Sequence, residues 1–547
     1  MVAETIRIKD GLVLDGTGRE PEILDLLITG DQITKIGREL EEKGDTIIEA
    51  RGFHVSPGFI DIHTHSDLSI LANPHSPEKL LQGVTTEVVG NCGIGIAPTN
   101  QEIIDMFNQI AIDIMYGEQM PPFTNLTKFQ KKLSEIGHSI NIAHLVPHGN
   151  VHLLVKGVDE TNVTHDELSE MKALLKSNMD AGAFGMSTGL IYPPGSLTKT
   201  EELVELGRVL KPYGGFYASH IRNEATGVIK SAKEAIKIGR DAGIGVQISH
   251  LKVSFASRLT KKLLKVISEA RAEGLDITAD VYPYIAGSSN MGSIVLPTWV
   301  FSQGPENIKK ILNDPAQRKR VINDAIDNMF KFAKINPGFK KIIPRFIIAL
   351  LLKFLLKKVM VTNTKYSPDA IGKFLTDVYK EDPELQREKG IFNQTLAFLA
   401  REEGNITVCI FQESENKTLI PIMKAPFVMF GTDSLAGHPR TWGSYPKIIG
   451  EYVRDRKVLN LPNAIHKMTG MPAKRLGLKD RGLIREGYKA DIAIFDLQGI
   501  TANSSFDNWK EPPQGIKHVL VNGKQTIKDG KHTNEKHGRI LKNESAN

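Results

Sequence analysis

The feature that most constrains the fold is an alternation of short apolar β runs with helical segments. Eight such runs lie between residues 58 and 431, and helical patterns such as 164–180 and 226–241 separate them. This order is typical of parallel strands that close into a barrel, each followed by a helix. The sequence therefore predicts an α/β fold of the TIM-like (β/α)8 type over residues 56–479. The predicted strands are 58–61, 85–89, 140–145, 183–186, 215–218, 245–249, 276–280 and 427–431.

The two chain ends have a different pattern. Residues 1–55 and 480–530 contain short β segments separated by turn residues such as Asp15-Gly16 and Gly30-Asp31. Because the two segments are similar in character, we expect them to form one small β-sandwich domain. The polar residues after about Lys531 are expected to fray.

Composition limits the function classes. The chain has 547 residues, of which 41% are hydrophobic and 24% charged, as in ordinary globular proteins. A net charge of +6 on so long a chain gives no argument for a nucleic-acid partner. Two cysteines are too few for a disulfide framework, and residues 1–10 contain no apolar signal segment. A cytoplasmic location is therefore expected.

Potential metal ligands follow several of the predicted strands. His63 and His65 end the first strand run, and side chains two residues apart point to the same side of an extended segment. Other residues of this kind follow later strands, and the C-terminal ends of barrel strands carry the chemistry of such folds. They are Cys92, His220, His250 and Asp433. The alternatives are a buried apolar role for Cys92 and a turn cap for Asp433.

Seven short motifs occur in order along the chain: PGFIDIHTH (57–65), GNCG (90–93), GMSTGLIYP (185–193), HIRNE (220–224), SHLK (249–252), DVYPY (280–284) and GTD (431–433) followed by HPR (438–440). Together they resemble the amidohydrolase superfamily and, within it, the N-acyl-D-amino-acid deacylases, or D-aminoacylases. The resemblance covers most of residues 1–300 and 405–525 and leaves the stretch between them unexplained.

The resemblance implies a zinc site. Many members of the superfamily bridge two metals with a carboxylated lysine, but residues 181–188, in the fourth predicted strand, contain no lysine. In the deacylases a thiolate takes that place, so Cys92, His220 and His250 are expected to bind one Zn²⁺ tightly. A second, weaker metal position is expected at His63 and His65. Three protein ligands leave a coordination position open for water, as a catalytic zinc site requires.

The resemblance also assigns the proton transfer and the substrate pocket. Asp433 is expected to take a proton from the attacking water and return it to the departing amine. Arg440 and Lys252 provide cations for the substrate carboxylate. The full predicted pocket is Tyr192, Lys252, Tyr282, Ser288 and Arg440. The alternative for each is a solvated surface group, and three further histidines near a strand end, His144, His148 and His152, are interpreted as structural or peripheral.

A long insertion, about residues 300–400, separates the seventh and eighth strands and is predicted to be a helical lid. Its segment 331–358 carries eight basic residues and no acidic one, around an apolar run that starts at Phe346. The run is too short to span a bilayer. A basic, apolar helix favours peripheral contact with an anionic membrane, and packing against the barrel or against a second subunit of a homo-oligomer is the open alternative.

Three functions remain open at this point. The first is zinc-dependent hydrolysis of N-acyl amino acids, D-configured by resemblance, with long-chain or lipid-like acyl groups suggested by the insertion. The second is hydrolysis of a cyclic amide, as in hydantoinases and dihydroorotases, which usually need the bridging lysine. The third is a non-catalytic, membrane-binding scaffold, which the retained ligand types disfavour.

Overall fold

The computed structural model describes residues 4–42, 44–109, 121–157, 161–301, 303–332 and 345–544. Its strands are β1 (Thr5–Val13), β2 (Glu22–Thr29), β3 (Gln32–Gly37), β4 (Thr46–Glu49), β5 (His54–Pro57), β6 (Phe59–Asp61), β7 (Val84–Val89), β8 (Asn141–Pro147), β9 (Gly185–Gly189), β10 (Phe216–His220), β11 (Gly245–Ile248), β12 (Ile277–Val281), β13 (Ala286–Asn290), β14 (Val359–Thr364), β15 (Ile406–Phe411), β16 (Val428–Phe430), β17 (Ile492–Phe495), β18 (Ile516–Val521), β19 (Lys524–Lys528) and β20 (Lys531–His532).

The α-helices, numbered over the described residues, are α1 (Pro77–Leu80), α2 (Gln101–Gln109), α3 (Leu126–Ile136), α4 (His148–Val155), α5 (His165–Asp180), α6 (Thr200–Leu210), α7 (Val228–Ala242), α8 (Thr260–Ala272), α9 (Met291–Val295), α10 (Thr298–Phe301), α11 (Pro305–Asn313), α12 (Pro315–Phe332), α13 (Arg345–Leu356), α14 (Leu375–Glu381), α15 (Pro383–Gln386), α16 (Ile391–Arg401), α17 (Ile420–Lys424), α18 (Arg440–Lys447), α19 (Leu461–Met468) and α20 (Gly470–Leu476). Within these same described ranges, no helix is both long and apolar enough for a bilayer crossing.

Eight parallel strands form the barrel sheet in the order β6-β7-β8-β9-β10-β11-β12-β16. They correspond one to one with the eight strands predicted from the sequence, so the predicted fold class is confirmed. Every residue of β6, β7 and β8 is buried. Strands covered on both faces read as continuous apolar runs, which is why they could be found in the sequence.

A tyrosine bridges the two ends of the barrel sheet. The Tyr445 hydroxyl lies 3.2 Å from the carbonyl oxygen of Ile60 in β6 and 3.2 Å from that of Phe430 in β16. Tyr445 itself is fully buried. Its hydroxyl therefore joins the first and last barrel strands across the seam.

Strands from both chain ends share a second sheet. Its order is β20-β19-β18-β17-β5-β1-β2-β3, with β4 beside β1, and β17 pairs antiparallel with β5. Apolar side chains from both ends, such as Ile8, Val55, Ile492 and Leu520, form one buried cluster on this sheet. This shared core supports our proposal that residues 1–55 and 480–530 form one domain, beside a barrel of residues 56–479.

The insertion contains more than helices. It has its own apolar core, and β15, which follows it, pairs antiparallel with both β13 and β14 in a three-stranded sheet of order β13-β15-β14. The sequence predicted the helices of residues 300–400 but not this sheet. Residues 333–344 of the basic segment, including Lys334, Lys340 and Lys341, lie outside the described residues.

The prediction that the residues after about Lys531 fray is wrong for the described part of that segment, which ends at residue 544. The amide of Gly538 donates to the His138 carbonyl, and the amide of Leu541 donates to the Ile142 carbonyl, both at 2.8 Å. The segment therefore lies along β8 as an added bridge. Polar composition suggested a solvated tail, but these contacts are made by the backbone, which composition does not report.

Candidate active site

Two of the predicted metal ligands follow the first barrel strand. His63 and His65 come directly after β6 and are 0% and 6% exposed. The Nδ1 atom of His63 lies 3.0 Å from Oδ1 of Asp280 in β12. A carboxylate on one ring nitrogen fixes the tautomer and leaves the other nitrogen free for a metal. The sequence analysis missed this role of Asp280, although an acidic residue near a strand end was an available signal.

Cys92 lies between two of these imidazoles. Its Sγ is 3.4 Å from Nε2 of His63 and 3.4 Å from Nε2 of His250. Zinc bonds of about 2.3 Å to sulfur and about 2.0 Å to nitrogen place such ligand atoms about 3.5 Å apart in a tetrahedron. Burial alone would raise the pKa of the Cys92 thiol, but His63 and His250 lower it well below its ordinary value. The thiolate is the form that binds metals.

His220 and His250 share a carboxylate. Their ring centroids are 4.3 Å apart, and Oε1 of Glu224 is 3.0 Å from Nδ1 of His250 and 3.5 Å from Nε2 of His220. The structure thus brings the predicted trio of Cys92, His220 and His250 to the same end of the barrel. Glu224 was quoted in a motif but given no role, although its spacing of four residues from His220 is a signal for contact.

The centre has a negative local potential. Burial lowers the pKa of His65, but Asp433 and Cys92 raise it to about 9. Burial and Lys252 lower the pKa of His250, yet Cys92 and Glu224 raise it to about 9. Buried imidazoles normally lose their protons, so these shifts mark a site that favours bound cations. The donor set, one thiol among imidazoles and carboxylates, fits a zinc-class ion.

Asp433 lies directly after β16 and faces the first pair of histidines. Its amide donates to the His63 carbonyl at 2.7 Å, and its Oδ1 is 3.5 Å from Nε2 of His63 and 3.3 Å from Nε2 of His65. The second oxygen, Oδ2, is 2.9 Å from Nη1 of Arg440. Burial alone would raise the pKa of this carboxyl group, but Arg440 and His65 lower it well below its usual range.

Two buried cations flank an aromatic ring in the predicted pocket. The guanidinium of Arg440 lies 4.6 Å from the ring centroid of Tyr282, and its Nε has no hydrogen-bond partner. The Nζ of Lys252 is 3.2 Å from the Tyr282 hydroxyl and 3.6 Å from Oε2 of Glu224. Sequence reasoning placed Arg440 on the substrate alone, whereas in the structure one of its nitrogens already holds Asp433.

The remaining two predicted pocket residues differ in position. The Tyr192 hydroxyl donates to the Cys92 carbonyl at 2.5 Å, so this side chain contacts the backbone of a predicted ligand. Ser288 lies in β13, where it pairs with Cys409 in the insertion sheet and is partly exposed. The sheet therefore connects the insertion to the edge of the pocket.

A buried lysine supports the loops that carry the ligands. The Nζ of Lys79 is 2.6 Å from Oδ2 of Asp61, 3.1 Å from Oε1 of Glu87, and 2.8 Å from the hydroxyls of Thr64 and Thr432. The Thr432 hydroxyl also donates to Asp61 at 2.6 Å. This network ties the end of β6 to the end of β16. Sequence reasoning missed Lys79 because nothing in its local pattern distinguishes it from a surface lysine.

Comparisons with known proteins give the family of this chain. The profile of the amidohydrolase family matches residues 46–281 and 377–527. N-acyl-D-aspartate deacylase of Alcaligenes xylosoxydans xylosoxydans is 30% identical over 542 residues, which are 98% of this chain and 94% of the relative.

Two solved structures extend the likeness to the whole fold. D-aminoacylase, in a study of its binuclear metal centre that describes one-metal activation and second-metal attenuation, has a TM-score of 0.78 at 28% identity and covers 98% of this chain and 99% of its own. N-acyl-D-glutamate deacylase from Bordetella bronchiseptica, complexed with zinc and a phosphonate mimic of the tetrahedral intermediate, has a TM-score of 0.78 at 28% identity and covers 99% and 100%. The matched profile, the whole-length identity and the common fold together show that this chain belongs to the amidohydrolase family.

Proposed function

We propose that this protein hydrolyses the amide bond of N-acyl amino acids of D configuration, releasing a carboxylic acid and the free amino acid. The observation that carries the proposal is the buried Cys92 thiol between two imidazoles, beside an Asp433–Arg440 ion pair. The relatives, named for deacylation of N-acyl-D-amino acids, support the linear amide and the D configuration. The fourth barrel strand, Gly185–Gly189, lacks the metal-bridging lysine that cyclic-amide hydrolases usually need.

The residues present fit zinc. Cys92, His220 and His250 would hold the tighter ion, and His63 and His65 a second, weaker one. The 3.4 Å distance from Sγ of Cys92 to Nε2 of His250 and the 4.3 Å separation of the His220 and His250 rings support the first assignment. When bound, zinc supplies Lewis acidity, which lowers the pKa of water towards about 7 and polarises a carbonyl group.

Asp433 is the proposed proton carrier. Its side chain is a carboxylate at neutral pH, a form that the neighbouring Arg440 favours by lowering its pKa, and a carboxylate can accept a proton from the water that attacks the amide carbon. The same carboxylic acid then donates that proton to the departing nitrogen. One carboxylate thus serves both proton transfers, and the residue is held in place by the hydrogen bond that its backbone amide donates to the His63 carbonyl.

The buried cations are the proposed site for the substrate carboxylate. Lys252 donates to the Tyr282 hydroxyl, and Arg440 keeps an unpartnered Nε over the same ring. A carboxylate between these groups would accept charge-assisted hydrogen bonds. Tyr192 and Ser288 complete the proposed pocket at its Cys92 side and at its insertion side.

The test is a kinetic screen of the purified, zinc-loaded protein. Matched N-acyl D- and L-amino acids are compared with a hydantoin, and amino-acid release is measured. We expect turnover of the D-configured linear amides, and turnover at least ~10²-fold slower by the Asp433→Asn variant. Turnover confined to the cyclic amide, or to L substrates, would reject the proposal.

A finer part of the proposal concerns the acyl group. Helix α13 buries Ile348 and Leu356 but exposes a second apolar face. The apolar face of α13 consists of Phe346, Ile347, Leu350, Leu351, Phe354 and Leu355, each between 37% and 71% exposed. Large apolar side chains grouped in this way on a surface mark an interaction site.

This face adjoins the loop after β11, which carries Lys252. Phe255 of that loop is 50% exposed, and the Nζ of Lys358 lies 5.3 Å from its ring centroid and 5.6 Å from that of Phe354. Segment 331–358 has eight basic residues and no acidic one. Its charge suits an anionic lipid surface, whereas a two-fold contact between copies of the chain would bring like charges together.

We therefore propose peripheral contact with anionic membranes through α13, and preference for long-chain N-acyl groups. Each buried methylene contributes about 0.8 kcal/mol, so five more carbons could raise kcat/KM by roughly a hundredfold or more. Co-sedimentation with anionic and neutral vesicles, together with kinetics on an acyl-length series, tests both points. Equal recovery of the protein with and without anionic vesicles would reject the membrane contact. Highest activity on N-acetyl substrates would reject the preference for long acyl chains. If α13 instead contacts a second copy of the chain, the protein should form a dimer in solution.

A further inference from the structure

Two buried histidines and a partly buried glutamate, all side chains of metal-ligand type, lie outside the centre described above. Helix α4 starts at His148, directly after β8, and carries His152 one turn later. Helix α6 carries Glu202 in its first turn. Histidines four residues apart on a helix share one face, so both rings can reach the same partner.

The distances within this cluster fit ligands around an ion better than hydrogen bonds. The Nε2 of His148 is 3.4 Å from Oε1 of Glu202, and the Nδ1 of His152 is 3.7 Å from the same oxygen. Good hydrogen bonds between nitrogen and oxygen measure about 2.7–3.2 Å. Ligand atoms about 2.0–2.1 Å from a tetrahedral zinc ion lie about 3.3 Å apart.

The imidazole of His152 lacks the partners that buried polar groups normally have. This residue is 2% exposed, and neither of its ring nitrogens has a hydrogen-bond partner. The Nδ1 of His148, which is fully buried, has none either. Buried polar atoms without partners are rare and call for an explanation such as an unseen ion. Burial also lowers the pKa of His148, which favours the neutral imidazole that binds metals.

We propose that His148, His152 and Glu202 bind a divalent metal ion of the zinc class at a site separate from the catalytic centre. Two imidazoles and one carboxylate are a known zinc ligand set and leave a fourth position for water. The proposal stands on this cluster alone and does not depend on the reaction proposed above.

The position of the cluster gives the ion a structural role. The Asn150 side chain of α4 donates to the carbonyls of Gly95 and Pro98, at 2.5 and 3.0 Å, in the segment that follows Cys92. Gly149 packs so closely on the Gly93 carbonyl that no side chain would fit there. An ion joining α4 to α6 would hold α4 in place, and α4 holds the loop that carries Cys92.

The test counts metal ions and measures thermal stability in the full-length protein. Metal-stripped wild type, Cys92→Ala and His152→Leu are titrated with Zn²⁺, and bound zinc per chain is determined after gel filtration. We expect His152→Leu to bind about one ion fewer than wild type while keeping the catalytic zinc, and Cys92→Ala to keep the ion at His152. In Co²⁺-loaded Cys92→Ala, the remaining visible bands should be those of a nitrogen and oxygen ligand set.

Thermal unfolding adds a second measurement, which detects the bound ion by its effect on Tm and does not require the ions to be counted. Zinc added to Cys92→Ala should raise its Tm, and this rise should be absent when His152→Leu or Glu202→Gln is added. The His54→Leu variant, which removes another histidine with an unpartnered Nδ1, is the matched control and should bind as much zinc as wild type. Equal zinc content in wild type and His152→Leu, with the same zinc-induced rise in Tm, would overturn the proposal and leave the three side chains as a metal-free structural cluster.

Discussion

Arg440 and Asp433 form a buried ion pair, with Nη1 2.9 Å from Oδ2 and side chains that are 2% and 8% exposed. Because the guanidinium stands beside the proposed proton carrier, it acts on the base as well as on the pocket. An arginine that held only the substrate would leave the pKa of Asp433 unchanged. The pH dependence of kcat separates these two roles.

Replacing Arg440 by Met should move the acidic limb of the kcat profile to higher pH. Arg440 holds the pKa of Asp433 down, so its loss raises that pKa and protonates the base at pH values where the wild type is active. Kinetics from pH 4 to 9 measure the shift. Arg440→Lys keeps the charge, so the acidic limb of its kcat profile should stay close to that of the wild type. An acidic limb that moves in neither variant would mean that Arg440 acts only in substrate binding.

Asp433→Asn should lower kcat by at least ~10²-fold while the metal content stays at the wild-type value. The amide keeps the shape of the side chain but accepts no proton, and general acid-base groups contribute in this range. Single-turnover kinetics measure the loss in rate, and metal analysis of the same preparation checks that the metal content is unchanged. A kcat near wild type would place the base elsewhere.

Cys92→Ala should lose the tightly bound zinc and the activity together, because the site loses its thiolate. Cys409→Ala is the matched control, since Cys409 is also buried but lies in the insertion sheet. Metal analysis after dialysis against a weak chelator distinguishes the variants. Full zinc content in Cys92→Ala would remove the thiolate from the ligand set.

Lys79→Met should lower the free energy of unfolding by about 3–5 kcal/mol, because removing one partner leaves the buried Asp61 and Glu87 charges uncompensated. Urea denaturation measures the change. The control is Lys265→Met, whose 3.6 Å pair with Glu269 is exposed to solvent, and its effect should stay within about 0.5 kcal/mol. Similar losses in the two variants would mean that the Lys79 network adds little.

The double variant Leu350→Ser/Phe354→Ser should bind anionic vesicles at least about tenfold more weakly than wild type, since each large apolar side chain contributes about 1.5–3 kcal/mol when buried. Both positions lie in the exposed face of α13. The control is Ile23→Ser, which removes a similarly exposed apolar side chain from β2 and should leave vesicle binding unchanged. Undiminished binding by the double variant would exclude α13 as the contact.

The sequence predicted what repeats along the chain and missed what depends on distant partners. The barrel strands were found because strands buried on both faces are continuous apolar runs. Asp280, Glu224 and Lys79 were missed because their roles come from contacts across strands, which a linear pattern does not contain. Arg440 was identified as a cation of the site, but its pairing with Asp433 depends on the turn between β16 and α18.

The structure of the insertion was predicted only in part, because its sheet was missed. Its helices have the apolar spacing of their kind, whereas β14 and β15 are short, and their sheet is completed by β13, which precedes the insertion and pairs with β15. Short apolar runs of this kind cannot be distinguished from buried helix segments by their spacing alone, and the strong helical pattern around them favoured helix. The C-terminal segment was predicted wrongly because its contacts with β8 are made by backbone groups, which amino-acid composition does not report.

The bridge made by Tyr445 sets an order for how this protein becomes functional. The groups that meet at the seam, such as Asp61 and Thr432, are 371 residues apart in the chain. During synthesis, strands β6 to β12 therefore exist as an open sheet with two unpaired edges until the whole insertion and β16 have been made. In that interval the metal ligands that precede the insertion are present but Asp433 is absent. A chain that stops early would therefore have the zinc ligands without the proposed base. Its unpaired strand edges would also favour aggregation.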